Sequence, residues 1–173
     1  MKILFIVLVC VFAASLRSAT ADRDDTALVL ARMCVAESGW TDLDVCSAQI
    51  GVITRRASRA GVSVKVMARA YSAPLRRGDA RRPWIQYLSD DASTPDGWGR
   101  GSWARHHALF VTLLRHTESV LAGEVPDPCP MAWHFGGHMD RHRMSGWTEV
   151  CADLDSGRPR QMFWGYPAIN MKE

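Results

Sequence analysis

Apolar residues at three- and four-residue intervals mark out most of this chain. Leu28, Ala31, Cys34 and Val35 predict an amphipathic helix that Asp24 or Asp25 can cap and that Gly39 ends. After a short loop over Trp40 to Leu43, Asp44 can cap a second helix, with Val45, Ala48, Gln49, Val52 and Ile53 as its inner stripe. Arg55, Arg56 and Arg59 lie towards its C-terminal end, where cations suit the helix dipole, and Gly61 is the stop. Ser63 opens a short third helix, Val64 to about Tyr71, closed off by Pro74. Arg76 to Gly101 is rich in Gly, Pro, Asp and Arg and reads as a long irregular segment with one small helix near Trp84 to Leu88. Ser102 is the expected cap of the clearest helix, whose stripe runs Trp103, His106, His107, Phe110, Leu113, Leu114, Val120 and Leu121 before Gly123. Three prolines stiffen Val125 to Pro130. Trp147 to Cys151 and Met162 to Trp164 then read as two short strands joined by a turn at Asp155 to Pro159. The expected architecture is mainly α, with a small β or irregular C-terminal cap.

The N-terminus has a pattern of its own. Lys2 precedes an apolar run from Ile3 to Ala14, too short to span a bilayer, and Ala19-Thr20-Ala21 is a small-x-small cleavage site ahead of Asp22-Arg23-Asp24-Asp25. Residues 1–21 therefore read as a signal peptide and 22–173 as one domain, secreted or periplasmic and with no membrane attachment once the leader is removed. Of the 21 basic and 18 acidic residues, Lys2 and Arg17 leave with the leader, so the remainder is almost neutral. That balance argues against a nucleic-acid partner. Cys34, Cys46, Cys129 and Cys151 remain, an even number in an exported chain, and read as two disulfides. Three pairings are open; Cys34–Cys46 and Cys129–Cys151 are favoured because each closes a short local loop. No Cys-x-x-Cys pair points to zinc.

Glu37 is the strongest candidate for chemistry. It falls in the last turn of the first helix, where the negative end of the dipole disfavours another negative charge. A partly apolar cleft would act in the same direction, giving the protonated carboxyl that acid-catalysed glycosidic cleavage requires. The commoner fate of a single Glu is a solvated surface position.

The segment Leu30-Ala31-Arg32-Met33-Cys34-Val35-Ala36-Glu37-Ser38-Gly39-Trp40 resembles the catalytic-helix motif of lysozyme-fold lytic transglycosylases, which carry Glu-Ser-Gly-aromatic at a helix end. With Ser47-Ala48-Gln49-Ile50-Gly51-Val52-Ile53-Thr54-Arg55-Arg56, it also resembles the cell-wall hydrolases that include spore-cortex-lytic enzymes. The likeness spans residues 28 to 75. It implies a lysozyme-like α fold acting on peptidoglycan glycan strands, without a cofactor, and the chain is expected to be a monomer. It makes Glu37 both acid and base: the residue protonates the bridging oxygen and then takes the proton of the muramic C6 hydroxyl, leaving a 1,6-anhydro product. That route does without the second carboxylate of most glycoside hydrolases. For a hydrolytic outcome, Asp42 or Asp44 would orient water. The Gly-Leu-Met-Gln block usual in the transglycosylases is missing, as are the later Tyr/Asn-rich motifs of the spore-cortex family.

Cys129 to His142 holds the other dense constellation. His134, His138, Asp140 and His142 are zinc-ligand types at short spacing, and a zinc amidase or peptidase acting on the stem peptides is the rival enzyme class. Gly136-Gly137 breaks the helix that a His pair would need, so no metal is assigned. The preferred reading is a Gly-Gly loop across the cleft from Glu37, where His134 or Asp140 binds sugar hydroxyls. Ser38, Trp40 and Trp133 complete the candidate substrate contacts, because indole stacks on sugar rings. Trp103 and Trp164 fit core positions. Trp84, Trp98 and Trp147 sit in expected loops. His106 is expected to face the core and His107 the solvent; neither they nor His116 are given a function. The arginine pairs Arg55-Arg56, Arg76-Arg77 and Arg81-Arg82 read as a solvated basic face. A non-catalytic wall-binding domain is the third possibility.

Overall fold

A computed structural model describes residues 26–38, 42–73, 75, 100–137, 144, 146–154 and 161–165. Expectations for the leader, the 76–99 segment, the 155–160 turn and Trp40, Trp84 and Trp98 lie outside these residues. The described part is mainly helical with a small antiparallel sheet.

Helix α1 covers residues 26–37. Its burial is wider than the predicted stripe: Ala27, Val29, Leu30, Ala31, Met33, Cys34 and Val35 are all buried, while Leu28 is only half-buried. A helix apolar on so many sides belongs in a core.

Helix α2 is Leu43–Ala60. Its N-cap is Asp42, whose carboxylate accepts from Val45 N at 3.0 Å. This corrects the assignment to Asp44. The helix begins earlier than expected, and Asp44 becomes an exposed first-turn acid that favours the positive helix end. All five expected stripe residues are buried, joined by Cys46, Ser47, Ile50 and Ala57. Gly61 ends α2 at φ 64°, with its N–H on Ser58 O and Val62 N on Ala57 O. That paired closure needs a left-handed residue, which glycine adopts without strain.

Helix α3, Val64–Tyr71, is capped by Ser63 and ends at Ser72. Helix α4, Arg100–Ala122, contains Ser102 within its first turn, so Ser102 is not the cap: helical backbone already runs through Arg100 and Gly101. Phe110, Leu113 and Thr117 are its buried line. His106 and His107 are both half-buried, so the expected contrast between them is absent. His116 ties α4 to α2, its Nε2 lying 2.7 Å from Ser47 Oγ and 3.1 Å from Leu43 O.

Strands β1 (His134–Gly137), β2 (Thr148–Val150) and β3 (Gln161–Gly165) form a sheet in the order β1-β3-β2, with both pairings antiparallel. Strand β1 corrects the Gly-Gly loop. Gly136 and Gly137 pair with Met162 and Gln161, and Phe135 is buried opposite Phe163. The burial of Phe135 outweighs the weak strand preference of the glycines.

Both favoured cysteine pairs lie at disulfide distance, Cys34 with Cys46 and Cys129 with Cys151. The first joins α1 to α2. The second joins the segment before β1 to the end of β2. One core holds these parts together, running from Leu30, Met33 and Ile53 through Ala68 and Phe110 to Phe135 and Phe163.

Candidate functional site

Glu37 occupies the last turn of α1 and is half-buried. The α1–α2 bridge starts one turn earlier, at Cys34, and fixes the position of this turn. The carboxyl group is held from α3: Ser72 Oγ donates to Glu37 Oε1 at 2.6 Å. Ser72 is itself buried and is the residue on which α3 ends.

Ser38 bonds inward. Its hydroxyl contacts Cys34 O at 2.9 Å and Gln49 Oε1 at 3.3 Å. Gln49 is fully buried beneath it, and its Nε2 has no partner among the described residues.

Tyr71, the neighbour of Ser72, reaches the sheet. Its hydroxyl lies against His134 Nδ1, donates to Phe135 O at 3.2 Å and accepts from Phe135 N at 3.2 Å. His134 is half-buried among aromatic rings, with centroids of Tyr71 and Trp164 at 5.4 Å and of Trp147 at 6.4 Å. Tyr71 and Ser72 are adjacent in the chain, with Cα atoms about 3.8 Å apart as in any trans peptide. Consecutive hydroxyls thus hold the candidate acid on one side and the candidate sugar contact on the other.

Arg55 and Arg56 are not part of a solvated basic face: both are half-buried. Arg56 NH1 donates to Trp133 O at 3.0 Å, and its guanidinium lies 4.9 Å from the Tyr71 ring centroid. Arg59 lies 5.6 Å from the Trp133 centroid. Arg55 pairs with Asp127 and donates to Ala132 O and Cys129 O. Arg55 and Arg56 turn inward because the 127–133 segment presents carbonyls to them, and guanidinium supplies several donors in one plane; Arg59 stays exposed.

Of the predicted contacts, Glu37, Ser38, Trp133 and His134 lie among the described residues; Trp40 and Asp140 do not. His138 and His142 also fall outside, and among the described residues no group of three metal-ligand types comes together. Asp42 is engaged as a cap and Asp44 is exposed, so neither is held at Glu37 by a described contact. A separate groove of about 370 Å³ is lined by Ile50, Val120, Leu121 and Pro126, with Arg55 and Asp127 alongside. Neither Glu37 nor His134 lines it.

Tyr71 and Ser72 escaped the sequence reading. The available signal was a tyrosine and a serine at the very end of a helix, ahead of a proline, where side chains project beyond the helix barrel. Compared with known proteins, the chain matches no family model, no curated sequence and no solved structure.

Proposed function

We propose that this protein is a peptidoglycan glycan-strand-cleaving enzyme of the lytic transglycosylase type, with a lysozyme-like α fold and Glu37 as the single acid and base. The observation that carries the reading is the Ser72–Glu37 bond. It fixes a carboxyl at the end of a core helix, and the residue before Ser72 in the chain is Tyr71, which contacts His134. One oxygen of the carboxyl is oriented by a neutral hydroxyl, an arrangement suited to a group that must first give a proton and then take one.

In the proposed reaction, protonated Glu37 donates to the oxygen bridging N-acetylmuramic acid and N-acetylglucosamine as the C1–O bond breaks. The carboxylate then removes the proton of the muramic C6 hydroxyl while that oxygen bonds to C1. The acid is restored and a 1,6-anhydro end is left. The engagement of Asp42 as a cap and the exposure of Asp44 favour this route over hydrolysis, which generally uses a second carboxylate. Trp133 and His134 belong to the proposed glycan cleft, and two disulfides suit a secreted or periplasmic site of action.

The test is incubation of the oxidised chain with purified peptidoglycan, wild type beside Glu37→Gln, with soluble products read by mass. Anhydro-muropeptides from the wild type alone are expected. Products with reducing ends would make the enzyme a hydrolase. An active Glu37→Gln, or release of free stem peptides only, would remove Glu37 from the chemistry and turn attention to the His134–His142 segment.

A further inference from the structure

Arg55 and Arg56 follow one another on α2 and both reach the 127–133 segment, yet their charges are treated differently. Arg55 pairs with Asp127, whereas Arg56 has no carboxylate partner among the described residues. The Arg56 guanidinium is nevertheless held from two directions. Nη1 donates to Trp133 O at 3.0 Å, and the group lies over the Tyr71 ring at 4.9 Å from its centroid, within cation–π range. Nε is buried without an acceptor. Nη2 also has no acceptor among the described residues, but it is not buried, so this half-buried side chain presents Nη2 to solvent. A partly desolvated cation without a counter-charge attracts an anion more strongly than a fully solvated one does.

We infer that Arg56 is a substrate-binding residue whose Nη2 takes a carboxylate borne by the muramic acid units of the strand, so that the enzyme selects acidic peptidoglycan over neutral N-acetylglucosamine polymers. The inference rests on the glycan-cleaving reading for the strand, though not for the sign of the charge that is bound. Arg56 touches Trp133, a proposed glycan contact, and Tyr71, which touches another, His134. Each muramic acid unit carries a lactyl carboxyl, which either stands free on a bare strand or is joined to a stem peptide with carboxyl groups of its own. Poly-N-acetylglucosamine has no such group. A guanidinium already fixed by a ring and a carbonyl loses little freedom when it bonds a carboxylate, and the bond is charge-assisted.

Titration calorimetry on the oxidised Glu37→Gln chain reads binding without cutting the ligand. This chain should bind a peptide-bearing peptidoglycan oligomer about tenfold more tightly than the same oligomer with its carboxyls converted to carboxamides, the worth of one charge-assisted hydrogen bond. Added salt should narrow the difference. Arg56→Gln in the same background keeps a donor for Trp133 O and should abolish the difference, with affinity for a neutral N-acetylglucosamine oligomer little changed. A bare oligomer, whose acids are lactyl groups alone, identifies the source. If Arg56→Gln weakens its binding, the lactyl carboxylate is the partner; if only the peptide-bearing oligomer is weakened, the stem peptide is. Equal affinity of the Glu37→Gln chain for the acid and carboxamide forms overturns the inference, and that comparison needs no Arg56 variant to fold. So does an Arg56→Gln chain that loses neutral and acidic ligands alike, which would make Arg56 a support for Trp133 and Tyr71 only. If wild type still releases anhydro-muropeptides, the glycan-cleaving reading survives either result. A chain that neither cuts peptidoglycan nor binds any of the oligomers overturns both.

Discussion

Ser72 Oγ and Glu37 Oε1 lie 2.6 Å apart, and the bond joins the ends of two helices that enter the core separately. A hydroxyl bonded to one carboxyl oxygen sets the orientation of the group proposed to exchange the proton. Ser72→Ala should therefore lower kcat by about ten- to a hundredfold, the range expected when a reacting group loses its orientation. KM should change little, because Ser72 is buried and does not face solvent. Steady-state kinetics on peptidoglycan, with Ser72→Thr as the variant that restores the hydroxyl, check this. A Ser72→Ala enzyme with full kcat would sink the orienting role.

Arg55 holds the segment that leads into the sheet to α2. It reaches Asp127, Cys129 O and Ala132 O, and Asp127 in turn accepts from Cys129 N at 2.8 Å. The cluster fits only because Gly51 has no side chain: a Cβ there would overlap the Asp127 carboxylate. Gly51→Ala should displace Asp127 and destabilise the fold by about 1–3 kcal/mol, as overpacking does. For a chain of this size the melting temperature should fall by roughly 2–4 °C per kcal/mol. Arg55→Met should produce a loss of similar size by leaving the carbonyl of buried Ala132 without its donors. Differential scanning calorimetry of both variants decides the matter; unchanged melting in Gly51→Ala would mean that Asp127 relocates freely.

Much of the fold was legible from spacing, because helix stripes and glycine stops are local. Gly61 and Gly123 end their helices where expected, and the α2 stripe is buried throughout. The misjudged boundaries have local causes too. Asp42 and Asp44 are equally good cap residues, and only the start of α2 at Leu43 separates them. Strand β1 was hidden because Gly136-Gly137 carries no strand preference, and its pairing with β3 brings together residues far apart in the chain. At the site, Glu37 and His134 were visible as residue types, whereas Ser72 and Tyr71 were not. Their roles come from α3 ending between α1 and β1, a tertiary placement that no local pattern encodes. The arginines misled for the same reason: Arg55 and Arg56 look like surface charge until the carbonyls of Cys129, Ala132 and Trp133 arrive beside them.

The Cys34–Cys46 link separates stability from activity in a testable way. Its sequence separation of 12 corresponds to about 3 kcal/mol of unfolded-state entropy, slightly less than the 22-residue Cys129–Cys151 link. Removing either pair by double Cys→Ala substitution should lower stability comparably. Activity should respond differently, because Cys34 lies one turn before Glu37 while Cys129 and Cys151 secure the sheet. Assayed well below their melting temperatures, chains lacking Cys34–Cys46 should lose more kcat than chains lacking Cys129–Cys151. Equal kcat losses would show that the first bridge only stabilises the fold.

Gln49 offers the opposite sign of effect. Its carboxamide is fully buried, and only its Oε1 has a bond, to Ser38, while Nε2 has no acceptor among the described residues. A buried donor left unmatched costs about 1–3 kcal/mol, whereas an apolar side chain of the same shape carries no such penalty. Ser38 also keeps its bond to Cys34 O, so losing Gln49 does not orphan it. Gln49→Met, close in volume and flexible enough to fill the site, should leave the chain as stable or raise its stability by about 1 kcal/mol. Urea unfolding followed by fluorescence reads the difference. A Gln49→Met chain that is markedly less stable would mean that the amide holds a buried water, which would make Gln49 part of the support beneath Ser38 and Glu37.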